Sequence, residues 1–268
     1  MPSKTSFCNG TEFRKSRWWP LWVIYGVILF IMLPGVLLNA RSTIPYVSAE
    51  QSSYLSNVIL SETQMLLPLT AFCAGLLAAA AMFGYLYTPR GAGLAASLPI
   101  RRGCMFRTHL LAGLLMLLSA EAVIFGLAVL IEATRFELVI EPLLIWLGIL
   151  ALETVVFYGI AVLCAMFTGH VVMLPFLYLL VNFIAVGFQL LVETVLYMFV
   201  YGMSGMVDLP VDWLSPLVLF MRRTSVGHAD LVRPISGTGA EVAIANFSGW
   251  TYPLVWAAFA LLLLVCAG

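Results

Sequence analysis

Six long apolar runs leave this chain few choices of fold. Trp18–Leu38, Gln64–Tyr87, Thr108–Ile131, Pro142–Phe167, Val171–Val200 and Trp250–Gly268 carry almost no charge. A hydrocarbon layer about 30 Å thick takes about 20 residues at 1.5 Å each, so each run is long enough to cross it. Lipid offers the backbone no hydrogen-bond partners, and uninterrupted runs of this length satisfy it as helices. With 62% apolar and 10% charged residues, the chain has too little charge for a water-facing surface. The expected fold class is all-α: a polytopic membrane protein of six transmembrane helices, residues 18–268, preceded by a polar tail over 1–17.

The basic residues orient it. Six spans put the tail, the 88–107 loop and the 168–170 turn on one side, and that side holds Lys4, Arg14, Lys15, Arg17, Arg90, Arg101, Arg102 and Arg107. Positive charge in short segments flanking spans marks the cytoplasmic face. The N-terminus is therefore cytoplasmic, the tail can lie along the interface as a short amphipathic elbow helix, and the long 201–249 loop faces outward. Trp18, Trp19 and Trp22 suit an interfacial belt. The run Ala71–Ala81 is mostly small residues, the composition that lets helices pack closely in lipid. The sixth run ends without a basic anchor, which predicts that the protein continues past Gly268.

Three acids lie inside the spans: Glu121, Glu153 and Glu193. An acid near the bilayer centre costs about 2.5–3.5 kcal/mol on insertion scales, so each is expected to face protein, water or a partner. They read either as polar elements of a substrate path or conformational lock, or as hydrogen-bonded packing residues. No Lys or Arg inside a span is available to pair with them.

Other chemistry is faint. Cys8, Cys73, Cys104, Cys164 and Cys266 are scattered without metal-ligand spacing, and His109, His170 and His228 are isolated. No catalytic set and no metal site is expected. Gly10–Ser16 lacks the second glycine of a phosphate-binding loop, so no cofactor is expected in this chain. Asn246-Phe247-Ser248 matches a glycosylation triplet that is common by chance.

The loop between the second and third runs carries the strongest signal. Tyr87-Thr88-Pro89-Arg90-Gly91 reads as a helix stop and turn, and Ala92–Leu98 as a short helix that Pro99 ends. Leu94, Leu98 and Ile100 are apolar residues in an otherwise basic loop, a pattern that marks either a contact site or an ordinary topology-setting segment.

Phe83-Gly84-Tyr85-Leu86-Tyr87, Ala96-Ser97-Leu98-Pro99-Ile100-Arg101-Arg102, and Phe106 through Leu110–Leu115 resemble the ABC-2-type permeases of bacterial ABC transporters. Within them, they are most similar to the branch of acetoin-utilisation and cell-envelope-stress permeases. Trp18-Trp19 through Tyr25 and Pro34, Ala161–Gly169, Tyr201-Gly202 and Leu214-Ser215-Pro216 add weaker resemblance in order along the chain. In that family the sixth helix continues into a basic cytoplasmic segment, and many members add a large outer domain.

The resemblance implies a multi-pass protein of the bacterial inner membrane. Two permease subunits, identical or related, would pair there, and two separate ATPase subunits holding ATP and Mg²⁺ would dock on their cytoplasmic loops. Gly91, Leu94, Ser97, Leu98, Pro99, Ile100, Arg101 and Arg102 would be the coupling segment. Leu94, Leu98 and Ile100 would fill a groove in the ATPase, while Arg101 and Arg102 would meet acidic groups or lipid headgroups. The exported substrate would be an amphipathic peptide, a lipid or an antibiotic, and no nucleic acid is involved. Two other readings stay open: a peptide-antibiotic sensing or resistance complex in which the outer island Trp213–Met221 matters more, and a proton-coupled secondary transporter using Glu121 and Glu153.

Overall fold

A computed structural model describes residues 19–35, 37–38, 66–97, 102–134, 140–199, 214–223, 232–234, 241–243 and 254–261. The expected elbow over 1–17, the first outer loop, Leu98–Arg101 and most of the 201–249 loop lie outside the described residues.

Nearly all of the described secondary structure is helical. In chain order the helices are α1 (Trp19–Phe30), α2 (Leu66–Phe83), α3 (Pro89–Ser97), α4 (Arg102–Ala133), α5 (Glu141–Phe167), α6 (Met173–Phe199), α7 (Pro216–Arg223) and α8 (254–261). The exception is a small antiparallel ribbon of β1 (Val232–Pro234) and β2 (Glu241–Ala243), with Arg233 opposite Val242. Four helical segments are long and apolar enough to cross a membrane: 66–87, 103–133, 143–167 and 173–199. The first run is helical as expected but is divided: after α1, Ile31–Gly35 winds as a π-helix around Pro34. Proline supplies no N–H and its ring crowds the carbonyl four residues back, so the ladder widens there. Of the sixth run, only the helix over 254–261 is described.

The centre of the bundle is α2 against α5. Ala71, Ala74, Ala78 and Ala79 of α2 are buried with Phe157, Tyr158 and Ala161 of α5. At Gly75 the two backbones meet: a Cβ added there would lie 2.9 Å from the carbonyl carbon of Phe157 and the nitrogen of Tyr158. Close helix approach in lipid is built from such small residues because van der Waals contact has to hold the helices together. Tyr158 then reaches to α4, donating to the Leu110 carbonyl at 3.2 Å, and Gly113 leaves room for its ring. On the other flank the Tyr178 hydroxyl of α6 donates to the Phe72 carbonyl of α2 at 3.1 Å.

Burial falls off outward. In its most apolar stretch α5 is 72% buried and α6 only 11%; the buried side chains of α6 are a single stripe of Leu174, Tyr178, Asn182 and Ala185. Ile184, Phe188, Leu191 and Phe199 on α6 are exposed apolar residues, as a lipid-facing surface requires.

The island Trp213–Met221, read from sequence as a feature of an outer loop, is in part a core element. Its helix α7 buries Leu217, Leu219 and Phe220, and Phe220 meets Phe157 edge-to-face at 5.5 Å. The Ser215 hydroxyl accepts from the Val186 amide at 3.3 Å, fastening the start of α7 to α6.

Candidate functional site

Polar side chains gather at two levels of the bundle. The deeper group joins α1, α4 and α5. Glu121, about midway along α4, is 1% exposed and takes both of its hydrogen bonds on Oε1: from the Tyr25 hydroxyl at 2.8 Å and the Thr154 hydroxyl at 2.6 Å. Tyr25 and Thr154 also approach each other at 3.4 Å. Trp22, three residues before Tyr25 and so on the same face of α1, donates from Nε1 to the Ser119 hydroxyl at 3.0 Å. Two rungs thus tie α1 to α4, one to each of Ser119 and Glu121.

Glu153 precedes Thr154 on α5. It is wholly buried, neither of its oxygens has a hydrogen-bond partner, and Oε2 of Glu121 has none either. Glu121 and the Tyr25 phenol both lie within electrostatic reach of Glu153. The structure therefore brings together two of the three acids singled out from the sequence. Glu193 is elsewhere, on α6, where its Oε1 accepts from Gln189 of the same helix at 2.7 Å. Tyr25, Thr154, Trp22 and Ser119 were not legible as partners. Hydroxyls and an indole inside apolar runs were the available signal, but pairing them requires the relative rotation of three helices.

The second level is the junction around α3. Thr88 caps this helix, its hydroxyl accepting from the Gly91 amide at 3.3 Å, and Pro89 occupies the first helical position, where its missing N–H costs nothing. This corrects the sequence reading in which residues 87–91 form a turn and the helix begins at Ala92. Thr-Pro opens a helix here. Gly91 sits inside the first turn, where a Cβ would lie 2.7 Å from the Tyr85 carbonyl. Ser97 is exposed at the last helical position, and Leu94 lies between them on the helix. Leu98, Pro99, Ile100 and Arg101 lie outside the described residues, and Arg102 is the first residue of α4 rather than part of a loop.

A single-turn 3₁₀ segment, Gly84–Tyr87, joins α2 to α3 and is held on two sides. Tyr85 stacks near His109 of α4 with ring centroids 5.0 Å apart, and Phe83 lies 5.7 Å from Phe106. The Tyr87 hydroxyl donates to the Ala165 carbonyl of α5 at 3.1 Å and contacts the Thr168 hydroxyl at 3.3 Å. His170, in the short α5–α6 turn, accepts at Nδ1 from the Val172 amide at 3.3 Å. His109 and His170 thus sit in local packing and turn contacts. Among the described residues, no three His, Cys, Asp or Glu side chains are grouped to hold a metal ion.

No protein-family model, curated protein or solved structure matches this chain.

Proposed function

We propose that this protein is the transmembrane subunit of an ATP-driven transporter of the bacterial inner membrane. It has six spans and works in a dimer, with ATP hydrolysed by a separate subunit that docks on the α3 segment. The observation that supports this reading is α3 itself. A nine-residue helix is slung between two membrane helices, and its root is gripped by α4 through Tyr85 and by α5 through Tyr87. A partner that displaced α3 would pull on three spans at once. A loop that only set topology would need no capped helix and no such anchors.

The coupling segment carries over from the sequence with its apolar and basic residues: Leu94, Leu98 and Ile100 enter the ATPase groove, and Arg101 and Arg102 meet acidic groups or headgroups. Transport of an amphipathic peptide, lipid or antibiotic fits a bundle whose outer helices expose apolar surface to the bilayer. The test is affinity co-purification from native membranes, comparing wild type with Leu94→Asp/Leu98→Asp. An ATPase subunit recovered with wild type and lost in the double variant supports the reading. A wild-type complex that is intact and contains no ATPase overturns it.

A further inference from the structure

The two acids at the centre of the bundle stand in an arrangement that ionised carboxylates do not tolerate. Glu153 is 0% exposed and meets no donor. Glu121 receives two donors on one oxygen and none on the other. A protonated carboxyl has that asymmetry: its carbonyl oxygen accepts, and its hydroxyl oxygen carries the proton. A bare carboxylate in a low-dielectric interior costs several kcal/mol unless it is paired, and a like charge nearby raises the cost.

Among the described residues, the surroundings supply no counter-charge. From α1 the titratable group facing the pair is the Tyr25 phenol, itself donating to Glu121. On α5, the Tyr158 hydroxyl is committed to the Leu110 carbonyl, and on α6 the Tyr178 hydroxyl to the Phe72 carbonyl. The face of α2 buried here is Ala71, Ala74, Gly75 and Ala78. Every Lys, Arg and His among the described residues of α1–α6 lies at or near a helix end or in a connection. Tyr25, Glu121, Glu153 and Thr154 are all buried, at most 4% exposed, so an organic cation has no opening beside them. A proton needs none.

We propose that Glu121 and Glu153 form a proton-binding site of the bundle. In the packed state each carboxyl holds one proton, and when water reaches the pair each O–H gives its proton to that water, leaving two carboxylates. Repacking takes the protons back. The packing of α1 against α4 and α5 is thereby linked to proton uptake. This holds whether or not an ATPase docks on α3.

Raising the pH removes the protons and so favours the water-opened state over the packed one.

The test uses the full-length protein in lipid nanodiscs. Infrared difference spectra of wild type, titrated from pH 6 to 10 as a round working range of about four units, should show a protonated-carboxyl C=O band at neutral pH that disappears on the alkaline side. Glu153→Gln and Glu121→Gln imitate the protonated forms, so each should remove part of that band and flatten the loss of thermal stability at high pH. Glu121→Asp, which keeps a carboxyl, should shift the band rather than abolish it. Carboxylate bands alone at neutral pH in wild type would overturn the proposal, and that measurement does not depend on any variant folding. A band that Na⁺ removes at constant pH would also overturn it, since the pair would then hold a metal cation.

Discussion

The Tyr87 hydroxyl, at the root of α3, is hydrogen-bonded at 3.1 Å to the carbonyl of Ala165, near the end of α5. These residues belong to separate hairpins of the chain, and α5 is also the helix that α2 packs against most closely along its length. The short helix outside the spans is therefore tied directly to the core of the bundle.

Replacing Tyr87 with Phe should keep the ring and delete this bond. A net loss of about 0.5–1.5 kcal/mol is expected, as for one hydrogen bond exchanged with solvent. Under the proposed function, transport-linked ATP hydrolysis should fall by more than that stability loss would account for, with ATPase co-purification unchanged. Hydrolysis assays on the reconstituted complex would check this. Equal ATPase stimulation in variant and wild type would argue that Tyr87 only stabilises the fold.

Gly75→Ala places a methyl 2.9 Å from the α5 backbone, where no side-chain rotation relieves the contact. Overpacking of this kind costs about 1–3 kcal/mol. The expected result is a lower melting temperature in detergent, whereas Gly126→Ala, with nothing within 4 Å of its added Cβ, should leave melting nearly unchanged.

Gly113→Ala pushes against the Tyr158 ring and hydroxyl. Here the obstacle is the far end of a side chain, so the damage should be partly reversible. Tyr158→Phe removes the hydroxyl, and the double variant Gly113→Ala/Tyr158→Phe should be more stable than the sum of the single losses predicts. Residues in contact typically couple by about 0.5–3 kcal/mol, and a double-mutant cycle of melting temperatures reads that coupling.

Thr88→Ala should unravel the start of α3 by removing the acceptor for the Gly91 amide, at about 0.5–2 kcal/mol. Thr88→Ser should restore it. Protease nicking of the 88–100 segment would report the difference, with faster cleavage expected only in the alanine variant.

How far the sequence could be read depends on which force acts. Lipid imposes a minimum length on any span, so the positions of the long helices were legible from runs of apolar residues alone. Their rotation was not. A helix that is apolar all round has no periodic signal of its buried face, so nothing in the sequence pairs Tyr25 with Glu121, or Thr154 with either. The acids themselves stood out because charge is rare in such runs. The start of α3 is hidden in the sequence for a local reason: Thr-Pro both ends one helix and opens the next, and its capping role rests on the Gly91 amide pointing back at Thr88.

The length of α4 has one more consequence. At 1.5 Å per residue, its 32 residues make a rod of about 48 Å, longer than a hydrocarbon layer of about 30 Å. Glu121 lies nineteen positions from Arg102, or about 28 Å along the axis. If the contacts with Tyr25 and Thr154 act as a fulcrum, a tilt of about 5° there swings the Arg102 end through about 2.5 Å. Such a lever turns a small change in the grip on one carboxyl into a displacement the size of a side-chain contact at the far end.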